Sequence, residues 1–189
     1  WAEDLVQPTV DWRRVLGAEL RRGLSEAAGA VDYSHQRPSR RASVMGEVVL
    51  PSLRQPVPQI AVMVDTSASM NGELLATATA EVDGVLGSAG VRPDCVRVLS
   101  CDTEVGPAQR VRSAGQVQLV GGGGTDMTAA IDAATSLRPT PQVIIALTDG
   151  FTPWPARPPA RSRVVVALIG SGAPTPPDWA VTVHVRDDG

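Results

Sequence analysis

The sequence contains no lysine; all 17 of its basic residues are arginine. Mechanisms that need a lysine amine, such as a P-loop phosphate lysine or a Schiff base, are therefore excluded. Histidine occurs only at His35 and His184. An H-E-x-x-H zinc motif, which needs two histidines on one helix face, is absent. Aromatics make up 3% of the chain, so Val, Leu, Ile and Ala must fill any core. The two cysteines, Cys95 and Cys101, fall in what reads as one strand. Extended chain separates them by about 20 Å, whereas a disulfide needs Cα atoms within about 7 Å. Free thiols are expected, and with them a reducing, cytoplasmic setting. No apolar run approaches the roughly 18 residues that span a membrane, and no signal-peptide pattern is visible. The formal net charge of -3 and pI near 5.4 leave no basic excess for phosphates, which argues against a nucleic-acid partner.

What is present is ordinary globular composition: 43% hydrophobic and 20% charged over 189 residues. That length suits one domain with an appendage. The chain begins Trp1-Ala-Glu-Asp rather than with Met, as a piece of a longer protein would. Residues 9–29 carry Trp12, Val15, Leu16, Leu20, Leu24 and Ala27 at helical spacing, with Thr9 or Asp11 as the cap. Residues 31–46 are polar and Arg-rich (Arg37, Arg40, Arg41) and read as a connector. Residues 47–58, with Val48-Val49-Leu50 and three prolines, read as a short strand or extended arm.

From residue 59 the pattern changes. Gln59–Asp65, Val143–Leu147 and Val164–Ile169 are nearly continuous apolar runs, the mark of parallel strands buried on both faces. Further strands are predicted at 91–101 and 180–185, short extended pieces at 107–112 and 116–120, and helices at about 72–87 and 126–137. Strands alternating with helices imply a doubly wound, mostly parallel α/β sheet flanked by helices. Prolines 153, 155, 158 and 159 forbid a helix between the last two long runs, so 151–160 should be a stiff irregular loop. Residues 1–56 are expected to be a helix and connecting arm, the tail end of an upstream domain, and residues 57–189 an α/β domain.

Three segments carry oxygen-rich side chains: Asp65-Thr-Ser67-Ala-Ser69, Gly121-Gly-Gly-Gly-Thr125-Asp126 and Thr148-Asp149-Gly150. The first and third follow buried strands and the second opens a helix, so all three lie on the rim where open α/β sheets bind ligands. Carboxylates and hydroxyls are hard donors that suit Mg²⁺, Mn²⁺ or Ca²⁺ rather than zinc. A site with few carboxylates leaves the metal electrophilic, able to accept an external Asp or Glu. Asp65, Ser67, Ser69, Thr125 and Asp149 are the candidate ligands. Taken alone, Asp65-x-Ser-x-Ser also reads as a helix N-cap cluster. The glycine run lacks the lysine of a Walker loop, and Asp126 reads first as a first-turn residue favoured by the helix dipole. Trp154 has two readings, a partner contact beside the crevice or a cover for core left bare by the missing helix.

Asp65-Thr66-Ser67-Ala68-Ser69, the later Thr125 and the later Thr148-Asp149-Gly150 resemble the metal-ion-dependent adhesion site of von Willebrand factor A domains over about residues 57–187. The resemblance implies direct or near-direct ligation by Ser67, Ser69 and Thr125, with Asp65 and Asp149 acting through water. Asp11-Trp-Arg-Arg, Tyr33–Arg41, Val49–Leu53 and Gly150-Phe-Thr-Pro-Trp154 resemble a bacterial family of predicted metallopeptidases with a C-terminal von Willebrand A-like domain. That resemblance implies association with MoxR-type AAA+ ATPases. Two functions follow as expectations. One is a protein-binding module that holds a partner's Asp or Glu on the metal. The other is part of a metal-dependent hydrolase, whose H-E-x-x-H half these residues do not contain. Phosphatases of the haloacid-dehalogenase type need D-x-D and a lysine; here Ser67 stands at the second Asp.

Overall fold

A computed structural model describes residues 12–29, 32–38, 51–54, 57–68, 70, 72–101, 105, 106, 108–110, 124–170 and 172–185. Its elements in chain order are α1 (Trp12–Gly29), β1 (Asp32–Pro38), β2 (Pro51–Arg54), β3 (Ile60–Asp65), α2 (Gly72–Ser88), a 3-10 turn (Pro93–Cys95), β4 (Val96–Cys101), β5 (Gln109–Arg110), α3 (Met127–Ser136), β6 (Val143–Thr148), β7 (Arg163–Ile169) and β8 (Val181–Val185).

The main sheet has the order β5-β4-β3-β6-β7-β8. The five strands β4, β3, β6, β7 and β8 run parallel, and β5 closes one edge antiparallel to β4. The predicted doubly wound α/β sheet is therefore present. The apolar runs form its interior because both faces are covered. Ile60, Val62, Val64, Val143, Ile145 and Leu147 face a layer containing Trp12, Leu16 and Leu20 of α1 and Leu75, Val82, Val85 and Leu86 of α2. Their alternating neighbours Ala61, Met63, Ile144, Ala146, Val164, Val166 and Leu168 face α3 through Met127, Ala130, Ile131 and Ala134. The period-two alternation of a strand thus sorts one apolar run into two cores. Arg163 at the start of β7 holds Glu19 of α1 at 2.5 Å, pinning that helix over the sheet.

Some segments depart from the sequence reading. Asp32–Pro38 was expected as connector but is a strand, paired antiparallel with β2 through Asp32↔Arg54, Tyr33↔Leu53 and Ser34↔Ser52. Its polar sequence has no apolar period, and its pairing partner lies well downstream. The strand expected over 91–101 begins only at Val96, because Pro93 has no ladder N–H and instead opens the 3-10 turn. As expected, 151–160 contains no helix. Trp154 and, further on, Ala173, Trp179 and Ala180 pack against the α3-side core there. The predicted capping residues Thr9 and Asp11, the extended piece at 116–120, and Arg40 and Arg41 lie outside the described residues. Among the described residues, no helix is long and apolar enough to cross a membrane.

Candidate metal centre

In the strand order, β3 is flanked by β4 on one side and β6 on the other. The chain leaves β3 toward β4 and leaves β6 toward β7. Adjacent β3 and β6 therefore diverge at their carboxyl ends and open a crevice at a topological switch point. Asp65 is the last residue of β3 and Thr148 the last of β6.

Asp65 is only 1% exposed. Its Oδ1 accepts the Ser67 N–H at 2.9 Å and the Thr125 hydroxyl, and its Oδ2 accepts the Thr148 hydroxyl at 2.6 Å. One carboxylate thus gathers all three predicted segments. Among the described residues no basic side chain pairs with Asp65, Asp126 or Asp149. A buried carboxylate without a countercharge is costly, and hydroxyl and amide donors offset only part of that cost. Of the N-cap cluster that Asp65-x-Ser-x-Ser also suggested, Asp65 bonds the nearby Ser67 N–H and hydroxyls on two other loops, and Ser69 lies outside the described residues.

The other candidates take defined places. Ser67 is half-buried in the turn after β3, and its carbonyl accepts the Met70 N–H at 3.1 Å. Thr125 sits just before α3, with its hydroxyl 3.3 Å from the Cys101 carbonyl as well as bonded to Asp65. Asp149 is half-buried after β6, and its Oδ1 accepts the Phe151 N–H at 3.1 Å. Asp126 is the N-cap of α3, accepting from Thr128 N–H at 2.8 Å and Ala129 N–H at 3.3 Å. Trp154 is half-buried against the α3-side core, the covering role of its two readings. Ser69 and Gly121–Gly123 lie outside the described residues.

Two contributors were not singled out from the sequence. Thr148 holds Asp65 and accepts the Gly150 N–H at 3.0 Å. Its signal was its place, a hydroxyl at the last buried position of a strand. Thr152 ties the loop after β6 to the start of α3: its hydroxyl donates to the Thr125 carbonyl at 2.9 Å and accepts the Met127 N–H at 3.0 Å. Gly150 between them has φ +84, and a Cβ there would lie 3.0 Å from Leu168 Cδ2 and 3.1 Å from the Pro174 carbonyl oxygen.

Cys101 ends β4 beside this cluster, and its carbonyl also accepts the Thr66 N–H at 3.0 Å and hydroxyl at 3.2 Å. Burial, reinforced by the Asp65 charge, pushes its thiol up to about 12, so it stays protonated and inert. Both cysteines are free, as the strand spacing predicted.

Among the described residues no three His, Cys, Asp or Glu side chains gather as a metal cluster. The oxygen donors on the rim, hydroxyls with few carboxylates, are of the kind a hard cation accepts. A threonine hydroxyl that donates its proton to Asp65 keeps its oxygen lone pairs for a cation, and Asp65 orients that hydroxyl from behind.

Residues 60–186 match the family model described as "VWA-like domain (DUF2201)", and residues 1–54 match one described as "Putative metallopeptidase domain". An uncharacterized protein of Thermotoga maritima is 32% identical over 168 residues. The alignment covers 87% of this chain, which spans only 38% of that relative's length.

Proposed function

The chain belongs to the VWA-like domain family, and from that premise we propose that it is a divalent-metal-dependent protein-binding module. The observation that carries the reading is Asp65, a buried carboxylate that holds hydroxyls from two other loops and has no cationic partner among the described residues. Ser67, Ser69 and Thr125 would hold the ion, with Asp65 and Asp149 behind them. Mg²⁺ is the favoured ion, with Mn²⁺ or Ca²⁺ as substitutes, because it accepts few carboxylates and keeps exchangeable positions. When bound, the ion supplies an electrophilic position for the carboxylate of a partner's Asp or Glu. The resemblance noted from the sequence makes a MoxR-type AAA+ ATPase the partner to try first. Among the described residues no general base stands on the rim beyond the site's own carboxylates, which favours binding over turnover.

A second reading has its own support. Residues 1–54 match the model described as "Putative metallopeptidase domain", which supports reading the chain as part of a metal-dependent hydrolase. The present sequence carries no H-E-x-x-H to perform that chemistry.

Calorimetric titration of Mg²⁺ and Mn²⁺ into the chain and into Asp65→Ala separates the two. The binding reading expects metal affinity that the variant loses. It also expects an acidic peptide or the candidate ATPase to be held only while metal is present. Failure to bind metal at millimolar concentration overturns it. Divalent-dependent hydrolysis of an ester or peptide, abolished by Asp65→Ala, would favour the hydrolase.

A further inference from the structure

Among the described residues two large hydrophobic side chains are exposed, Val57 at 48% and Phe151 at 65%. Val57 precedes β3 at the amino end of the sheet. Phe151 is the chain's single phenylalanine and lies on the opposite rim, two residues after Asp149. A lone exposed apolar residue carries no meaning by itself. Phe151 is distinguished by how it is held.

Its own N–H bonds the Asp149 carboxylate at 3.1 Å. The next residue, Thr152, donates its N–H to the Gly150 carbonyl at 2.9 Å, while its hydroxyl joins Thr125 and Met127. Pro153 and Pro155 then fix two backbone angles, and Trp154 anchors the loop on the core. The backbone on both sides of Phe151 is thus fixed to the residues of the metal centre, while its ring faces solvent. Of the two aromatics in this loop, one serves packing and the other is left outside. A rigid aromatic presented at low entropy cost is the usual anchor of a protein contact.

We infer that Phe151 is a specificity-determining contact of the site, selecting a partner segment whose metal-held Asp or Glu stands beside a large apolar side chain. This rests on the protein-binding reading above. The metal supplies the carboxylate contact, common to every acidic segment. Phe151, hydrogen-bonded through its backbone to one of the proposed ligands, would meet the neighbouring side chain of a segment held there. Burying that side chain against the ring discriminates among acidic segments that the metal alone cannot distinguish.

The test uses the full chain with Mg²⁺ and two fluorescent synthetic peptides, each with one Asp, identical except that the following residue is Leu or Ser. The Leu peptide is expected to bind about tenfold more tightly. In Phe151→Ser that preference disappears, while affinity for the Ser peptide and for Mn²⁺ stays unchanged. Phe151→Trp keeps the preference. A preference that persists in Phe151→Ser overturns the inference, as does equal, chelator-sensitive binding of both peptides to the unaltered chain. Should Mn²⁺ fail to bind, or chelator leave peptide binding intact, the metal-dependent reading itself fails, an outcome distinct from either of those.

Discussion

The hydroxyl of Thr148 donates to Asp65 Oδ2 over 2.6 Å, joining residues 83 apart in the chain at the carboxyl ends of two neighbouring strands. The same hydroxyl accepts the Gly150 N–H, so one side chain fixes both the carboxylate at the site's centre and the turn that carries Asp149. Thr148→Val keeps the shape and removes both bonds. Leaving a buried acceptor and a buried donor unpaired should cost about 1–3 kcal/mol. Thr148→Ser should recover most of it. Asp65→Ala removes the shared acceptor, so the double variant should lose less than the two single variants summed. The expected coupling is about 0.5–3 kcal/mol, read from urea unfolding in chelator. Additive losses would show that the bond contributes nothing to folding.

Gly150→Ala tests the turn itself. At φ +84 an L-residue costs about 1–2 kcal/mol, and the new Cβ would also press on Leu168 and the Pro174 carbonyl. Gly172 has φ +80 but open space around it. Gly172→Ala should therefore show the backbone cost alone, and Gly150→Ala should exceed it by about 1 kcal/mol or more. Equal losses in chemical denaturation would mean that the turn yields freely. In Gly150→Ala the displaced Asp149 should also weaken Mn²⁺ binding.

How much of this was legible in the sequence depended on whether the signal was local. β3, β6 and β7 were readable because a strand buried on both faces must be apolar at every position. The rim positions Asp65, Thr125 and Asp149 were readable as an ordered pattern on three loops. Asp32–Pro38 was not, because a polar strand takes its conformation from a distant partner and has no period of its own. Thr148 and Thr152 escaped for a related reason. A threonine at a strand end or in a loop reads as a β-former or a surface residue, and only the folded neighbourhood shows its hydroxyl spanning 83 residues to Asp65 or 27 to Thr125. Trp154 was left with two readings that only packing could weigh.

The Cys101 thiol makes a prediction in pH. Its pKa stands raised from 9.0 to about 12 in the folded chain. Between those values the unfolded chain has lost the proton and the folded chain still holds it. Stability contributed by this group is therefore complete below pH 9 and declines as pH rises from 9 through about 12. Cys101→Ala should flatten that part of the stability profile in alkaline urea titrations. Native Cys101 should also resist iodoacetamide at pH 8 and react once urea unfolds the chain. Rapid native alkylation at this position would contradict the burial that raises the thiol.

The packing of α1 on the sheet can be decided by the sign of a stability change. Gly→Ala inside a helix ordinarily stabilises by about 1 kcal/mol, because alanine loses less entropy on folding. At Gly17 a Cβ would meet Arg21 Nη1 at 3.4 Å and Val85 Cγ1 at 3.7 Å, ordinary contacts, so Gly17→Ala should follow that rule. At Gly23 the same atom would collide with Cγ2 of Val143, the first residue of β6. Gly23→Ala should therefore destabilise by about 1–3 kcal/mol, since the helix must lift away from the strand. The lift would also stretch the 2.5 Å ion pair between Glu19 and Arg163, whose side chains are only 18% and 27% exposed. Glu19→Gln should then cost less in a Gly23→Ala background than in the unaltered chain. If Gly23→Ala and Gly17→Ala both stabilise, α1 does not sit against β6 as the structure has it.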